Sequence, residues 1–244
     1  MILEVCIESA ESAIAAEAGG ANRVELCDNL MEGGTTPSLG AVELTLKNVS
    51  IDVMMMIRPR GGDFLYTDLE YDIMMRDIQL AKELDVYGVV FGLLTPEGRI
   101  DKPRTAKLIE AARPLSVTVH RAFDMTIDPF EALEDLIELG VDRILTSGQE
   151  PSTEQGIELL AELVERAGDR IIILPGCGIE ESNISDLVSR TGVKECHVTG
   201  KHQIPSLMKY TNPRVFMGVP DAPEYEKTVV DPQRIKALRA AAEA

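Results

Sequence analysis

Leu3-Glu4-Val5-Cys6 and Val24-Glu25-Leu26-Cys27 follow one pattern: aliphatic, glutamate, aliphatic, cysteine. Residues two apart on a β-strand share a face, so each stretch sets a carboxylate and a thiol on one side and aliphatic side chains on the other. Burying a Glu-x-Cys face in an apolar core costs desolvation. Two such strands side by side therefore predict a shared polar interior in which the two thiols meet.

Working outward, strand-sized apolar runs recur at 2–7, 22–27, 51–57, 87–92, 115–120, 142–147, 170–174 and 193–198. Longer segments of helical period separate them. Thr67-Asp68-Leu69-Glu70 and Ser152-Thr153-Glu154-Gln155 read as capping boxes that start helices, while Asp128-Pro129 and Asp231-Pro232 place an N-cap before a proline. Gly19, Gly140, Gly168 and Gly192 fall where a glycine releases a helix toward the next strand. Eight alternating strand and helix units predict a parallel sheet closed into a (β/α)8 TIM barrel, one domain over residues 1–244, a length near the roughly 250 residues usual for that fold. An open doubly wound sheet is the runner-up; no G-x-G-x-x-G follows the first strand to support it. The final helix is expected over about 231–243, after an irregular stretch from roughly 201 to 230 suited to a lid or a contact surface.

Charge narrows the partners. Lys and Arg total 24 against 41 Asp and Glu, a formal net charge of -17. That field repels phosphate polymers and anionic lipid surfaces, so neither nucleic acid nor membrane is an expected partner. No signal peptide or membrane span is visible, and the expected location is cytoplasmic. A reducing compartment would keep Cys6, Cys27, Cys177 and Cys196 as thiols.

The outer face of each barrel strand is covered by helices, so polar residues within strands should point to the axis. This puts Glu4 and Cys6 inward, with Arg23, Glu25 and Cys27, Met54, Met56 and Arg58, Ser116, Thr118 and His120, and Glu195 and His197. Cys196 should face the helices as a small buried hydrophobe. All three histidines (His120, His197, His202) lie at or just past strand C-terminal ends, the face on which this fold builds its sites.

The longer motifs are specific. Glu4-Val5-Cys6, Arg23-Val24-Glu25-Leu26-Cys27, Glu32-Gly33-Gly34-Thr35-Thr36-Pro37-Ser38, Met56-Ile57-Arg58-Pro59-Arg60-Gly61-Gly62-Asp63-Phe64 and His120-Arg121-Ala122-Phe123-Asp124 together resemble the CutC copper homeostasis family, from residue 1 to about 200. The resemblance implies a single TIM barrel, cytoplasmic and oligomeric, that handles copper, and it places the family's proposed copper ligands on Cys6 and Cys27. This chain departs from the family in one loop: Pro175-Gly176-Cys177-Gly178 stands where Pro-Gly-Gly-Gly is expected.

Three classes of function then compete. Cu(I) is soft and prefers thiolate and thioether, so Cys6 and Cys27 suit it, with Met54 and Met56 as possible thioether donors; ordinary core filling is the plainer role for those methionines. The rim suggests an enzyme instead. Arg60 and Arg121 gather with Arg58 at strand ends, and Gly176, Gly178, Gly200 and Lys201 lie in the loops after strands 7 and 8, where barrel enzymes hold anions. Glu25 and His120 as base and acid, with Arg58 as an electrophilic clamp, would act on a small phosphorylated or carboxylated metabolite. Equally, the glycines turn the chain and the arginines pair with Glu4, Glu25 and Asp63. A hard-metal set of Glu4, Glu25, His120 and His197 is a further variant. Last, Tyr210, Phe216, Met217 and Tyr225 give the 201–230 stretch the composition of an assembly surface.

Overall fold

The computed structural model describes every residue except 213, 216 and 218–223. Eight parallel strands form the barrel wall: β1 (Ile2–Ile7), β2 (Arg23–Leu26), β3 (Asp52–Met56), β4 (Gly88–Phe91), β5 (Ser116–Val119), β6 (Arg143–Thr146), β7 (Ile172–Pro175) and β8 (Glu195–Val198). They run in the order β7-β6-β5-β4-β3-β2-β1-β8, and one parallel bridge between Gly176 and His197 brings the two ends together. Helices α1 (Ala10–Ala18), α2 (Leu39–Asn48), α3 (Asp68–Glu83), α4 (Lys102–Ala112), α5 (Pro129–Glu138), α6 (Ile157–Ala167), α7 (Ile184–Thr191) and α8 (Pro232–Ala242) surround the wall. Among the described residues no helix is long and apolar enough to cross a membrane.

Alternation sorts the strand side chains as predicted. Leu3, Val5, Ile7, Val24, Leu26, Val53, Met55, Val89, Phe91, Val117 and Cys196 join the core between sheet and helices. Cys6, Cys27, Met54, Met56 and Val90 form a second, smaller apolar cluster on the axial side. Gly88 belongs to that packing: a Cβ there would lie 2.6 Å from Met54 Sδ and 2.5 Å from the Ser116 carbonyl, so Met54 occupies the space that a side chain on β4 would fill.

Local signals mostly mark the helix starts. Thr67 and Glu70 form the full reciprocal capping box on α3, and Asp128 and Asp231 cap α5 and α8. Removing the Thr67 hydroxyl (Thr67→Ala) is expected to lower stability by about 1 kcal/mol, read as a shift of the urea midpoint at unchanged slope.

Four expectations are corrected. Ser152 bonds Gln155 in a turn of its own, and α6 begins later, after Gly156, with no side-chain cap. Gly19 keeps right-handed backbone; it is a glycine because a Cβ would sit 2.6 Å from Ile235 Cβ, and Gly20 makes the left-handed turn. Arg143, absent from the inward set, points to the axis and bonds Glu195 and Ser116. The stretch from 201 to 230 is regular at both ends, where β9 (Lys201–Pro205) pairs antiparallel with β10 (Glu226–Val230). Between these strands Leu207, Met208, Tyr210, Val215 and Met217 are exposed, Tyr225 is half-buried, and Phe216 lies outside the described residues.

Candidate functional site

The strand register builds the site. Glu4 is level with Arg23 on one side and His197 on the other, and Cys6 is level with Glu25, so inward side chains from β1, β2 and β8 meet near the axis. A chain of ion pairs occupies the lower layer. Arg23 bonds Glu4 and Glu195, each at 2.5 Å, Arg143 bonds Glu195 at 2.9 Å, and His197 Nδ1 lies 2.8 Å from Glu4. All five residues are buried.

One layer higher the thiols converge on a carboxylate. Cys6 Sγ and Cys27 Sγ both donate to Glu25 Oε2 at 3.5 Å, and His197 Nε2 stands 3.7 Å from the same oxygen. Burial works to neutralise Glu4, but the His197 hydrogen bond and the Arg23 charge outweigh it and hold its pKa near 2. Burial dominates at Glu25 and raises it to about 8 against the pull of His197. His197 is raised well above the usual histidine value: burial opposes its charge, and Glu25, Cys6 and Glu4 together favour it. Its Nε2 lies 3.7 Å from Glu25 and its Nδ1 2.8 Å from Glu4, so a carboxylate on each side favours the protonated ring. The hydrogen bond with Cys27 lowers Cys6 well below an ordinary thiol, and Cys27 is raised in return.

Above the thiols a cavity of about 310 Å³ opens at the C-terminal mouth of the barrel. Cys6, Glu25, Met56, Arg58, Phe64, His120, Arg121, Leu145 and His197 are among its walls. His120 Nδ1 accepts the Ala122 N–H at 3.2 Å, which assigns the ring proton to Nε2. Burial, with the nearby Arg58 charge, lowers His120 to about 3, so the ring is neutral. Arg58 ties two loops together, donating to the carbonyls of Glu32, Gly34 and Gly62 at 2.7–2.9 Å. A larger cavity, about 860 Å³, lies at the opposite end of the barrel. Its charged lining is already paired within the protein: Arg113 with Asp142, Arg143 with Glu195, Arg170 with Glu134 and Lys194 with Asp169.

The structure brings Cys6, Glu25, Arg58, His120 and Arg121 around the mouth cavity, with Cys27 buried against Glu25. Arg60, Gly176, Gly178, Gly200 and Lys201 are not among its lining residues. Arg60 is paired with Glu70 and Asp63, and Arg121 with Asp124 and the Ser147 hydroxyl. Gly176 packs close to Leu145, Gly178 accepts a bond from Asn183, Gly200 approaches Ile235, and Lys201 is exposed on β9. Cys177 adopts φ 89°, a glycine-like backbone, with its thiol donating to the Pro151 carbonyl at 3.1 Å. Of the hard-metal set, Glu4, Glu25 and His197 have donor atoms within 4.8 Å of one another, and His120 stands outside the group.

Comparison with known proteins agrees with this architecture. The CutC family model matches residues 1–202, which contain the whole barrel wall. A Parabacteroides distasonis protein with CutC in its name is 55% identical over 238 residues, covering 97% of this chain and 98% of the relative. The mouse copper homeostasis protein cutC homolog is 46% identical over 242 residues, 99% of this chain and 89% of the relative. The crystal structure of a Streptococcus agalactiae chain named as a copper homeostasis protein CutC superposes with a TM-score of 0.78 at 37% identity, covering 82% of this chain and 98% of that one. Thiamine phosphate pyrophosphorylase from Pyrococcus furiosus shares the fold alone, at 17% identity and a TM-score of 0.59. With the family model spanning the wall and relatives aligned along nearly the whole length, the chain belongs to the CutC family.

Proposed function

We propose that this protein takes part in copper homeostasis by binding Cu(I) between Cys6 and Cys27. One observation carries the reading: the two sulfurs and a Glu25 oxygen lie within 4.8 Å of one another, and Cys6 and Glu25 line a cavity open at the barrel mouth. Two metal–thiolate bonds of about 2.3 Å span about 4.6 Å, so sulfurs this close can share one ion. Donor chemistry supports a soft ion, since two sulfurs lie together and Met54, Met56 and Val90 pack around them. Cys6 gives up its proton more readily than an ordinary thiol and Cys27 less readily, so binding would release thiol protons. The names of the mouse and Streptococcus relatives point the same way.

Anaerobic competition against a chromogenic Cu(I) chelator tests this. The native chain is expected to withdraw one ion per molecule. The double variant Cys6→Ser plus Cys27→Ser should lose more than about a hundredfold in affinity, beyond the effect of disturbing outer partners alone. Unchanged affinity in the double variant removes the assignment.

A further inference from the structure

Copper at the thiols needs a way in, and the cavity above them offers a soft one. Several polar groups of its wall are already spent inside the protein. Arg58 donates to the carbonyls of Glu32, Gly34 and Gly62, Arg121 donates to Asp124 and the Ser147 hydroxyl, and the Asp124 carboxylate also accepts from Thr146 and Ser147. Much of the remaining wall is hydrocarbon and sulfur: Met56, Phe64, Met125 and Leu145 line the cavity with Cys6.

The two methionines differ in what they are packed against. Met125 ends the short turn after β5 (Phe123–Met125) and is 66% exposed, whereas Met56, the last residue of β3, is 3% exposed and packs with Cys6 and Cys27. The same cavity thus joins an exposed thioether to a buried thioether and a buried thiol.

The exposed sulfur has no role in folding. Methionine is usually a core residue, and leaving one in water forgoes about 1.5–3 kcal/mol of burial. Among the described residues the exposed methionines are Met31, Met125, Met208 and Met217, and all four lie in loops beyond the C-terminal ends of β2, β5 and β8. Met125 is the one of these that lines the cavity with Cys6. A neutral thioether selects Cu(I) over hard cations, and without charge it suits a waypoint rather than a final site.

We propose that Met125 is an entry ligand: it takes Cu(I) from a small complex in solution at the barrel mouth and passes it by way of Met56 to Cys6 and Cys27. This inference rests on the copper reading above. Copper stays Cu(I) throughout. A bond from the donor complex to copper breaks as the Met125 sulfur–copper bond forms, the ion then exchanges thioether for thiolate, and the thiol protons pass to solvent.

Anaerobic stopped-flow transfer of Cu(I) from a chromogenic chelator to the full chain tests the route. Met125→Leu keeps the size and apolarity of the side chain and removes the sulfur. It should slow transfer about tenfold, while the equilibrium affinity stays within about twofold of native. Met208→Leu removes a similarly exposed thioether outside the cavity lining and should transfer at the native rate. A second measurement is made at equilibrium: in Cys6→Ser plus Cys27→Ser protein with isotope-labelled methionine methyl groups, Ag(I), a soft ion without redox chemistry here, should shift the Met125 and Met56 resonances before that of Met208. Native-rate transfer in Met125→Leu, equal slowing in Met208→Leu, or a Met125 methyl that responds no earlier than Met208 overturns the entry role and leaves the copper assignment standing. Unchanged Cu(I) affinity in the double serine variant overturns the copper assignment, and the entry role with it.

Discussion

Replacing Arg23 by methionine is expected to destabilise the protein by about 3–5 kcal/mol, the usual consequence of removing one partner from a buried ion pair. Arg23 is the link between Glu4 and Glu195, and its loss leaves two buried carboxylates facing each other with one counter-charge fewer. Native domains are stable by only about 5–15 kcal/mol, so this one change removes a large share. In a chain of this length it corresponds to a fall of roughly 6–20 °C in the melting temperature. The exposed Lys47–Glu43 pair is the contrast: both side chains are more than half exposed, and Lys47→Ala should change stability by less than about 0.5 kcal/mol. Adding Glu4→Gln to Arg23→Met should recover part of the loss, because the double variant no longer strands that carboxylate. A cost under about 1 kcal/mol for Arg23→Met, measured by urea denaturation, would mean that Glu4 and Glu195 do not depend on it.

The network also explains why the Glu-x-Cys face can be buried at all. Glu4 is neutralised from two sides by Arg23 and His197, and Glu195 by Arg23 and Arg143, so each carboxylate of the lower layer has two cationic partners. That layer is the platform beneath the thiols. It fixes His197 toward Cys6 and Glu25, and so couples the fold's electrostatics to the protonation of the two thiols.

Much of this is legible in the amino-acid order, because barrel strands admit one rule: aliphatic side chains go to the helices and polar ones to the axis. Glu4, Cys6, Arg23, Glu25, Cys27, His120 and His197 all obey it. Arg143 obeys it too, a polar residue in an apolar run, and could have been found by the same alternation. The rim is different. Arg58, Arg60 and Arg121 follow strand ends, where no periodicity constrains direction, and their partners come from loops whose shape the local sequence does not determine. Arg58 reaches carbonyls at residues 32, 34 and 62, and Arg121 reaches Ser147 across two loops. A glycine that turns a chain and one that cradles an anion read alike, so the sequence of Gly176, Gly178 and Gly200 does not tell that none of them lines the mouth cavity, with Gly176 packed behind Leu145 and His197. The unpaired Nε2 of His120 has no sequence signal, since the tautomer depends on one turn that presents the Ala122 N–H.

Stability is expected to be greatest between about pH 4.5 and 6.5 and to fall on both sides, through the buried groups of this one site. His120 is depressed from 6.5 to about 3, so the unfolded chain takes up a proton first, and stability present above pH 6.5 is lost as pH falls toward 3. Glu4, depressed from 4.5 to about 2, acts in the same direction below pH 4.5. Glu25 is raised from 4.5 to about 8, so its contribution is present below 4.5 and is lost as pH rises toward 8. Between 4.5 and 6.5 the slopes of His120 and Glu25 are opposite, about 1.4 kcal/mol per pH unit each, and cancel. Below 4.5 His120 and Glu4 act together, at about 2.7 kcal/mol per unit, so acidification to pH 3 should remove about 4 kcal/mol. Above 6.5 Glu25 and the raised His197 both drive a decline, and the depressed Cys6 thiol offsets part of it. Denaturant titrations across this range check the profile. His120→Gln should halve the acid slope between pH 4.5 and 3, and Glu25→Gln should flatten the decline between 6.5 and 8. Should native stability stay level from pH 4.5 to 3, neither the neutral ring of His120 nor the ionised Glu4 can be buried in the way this site requires.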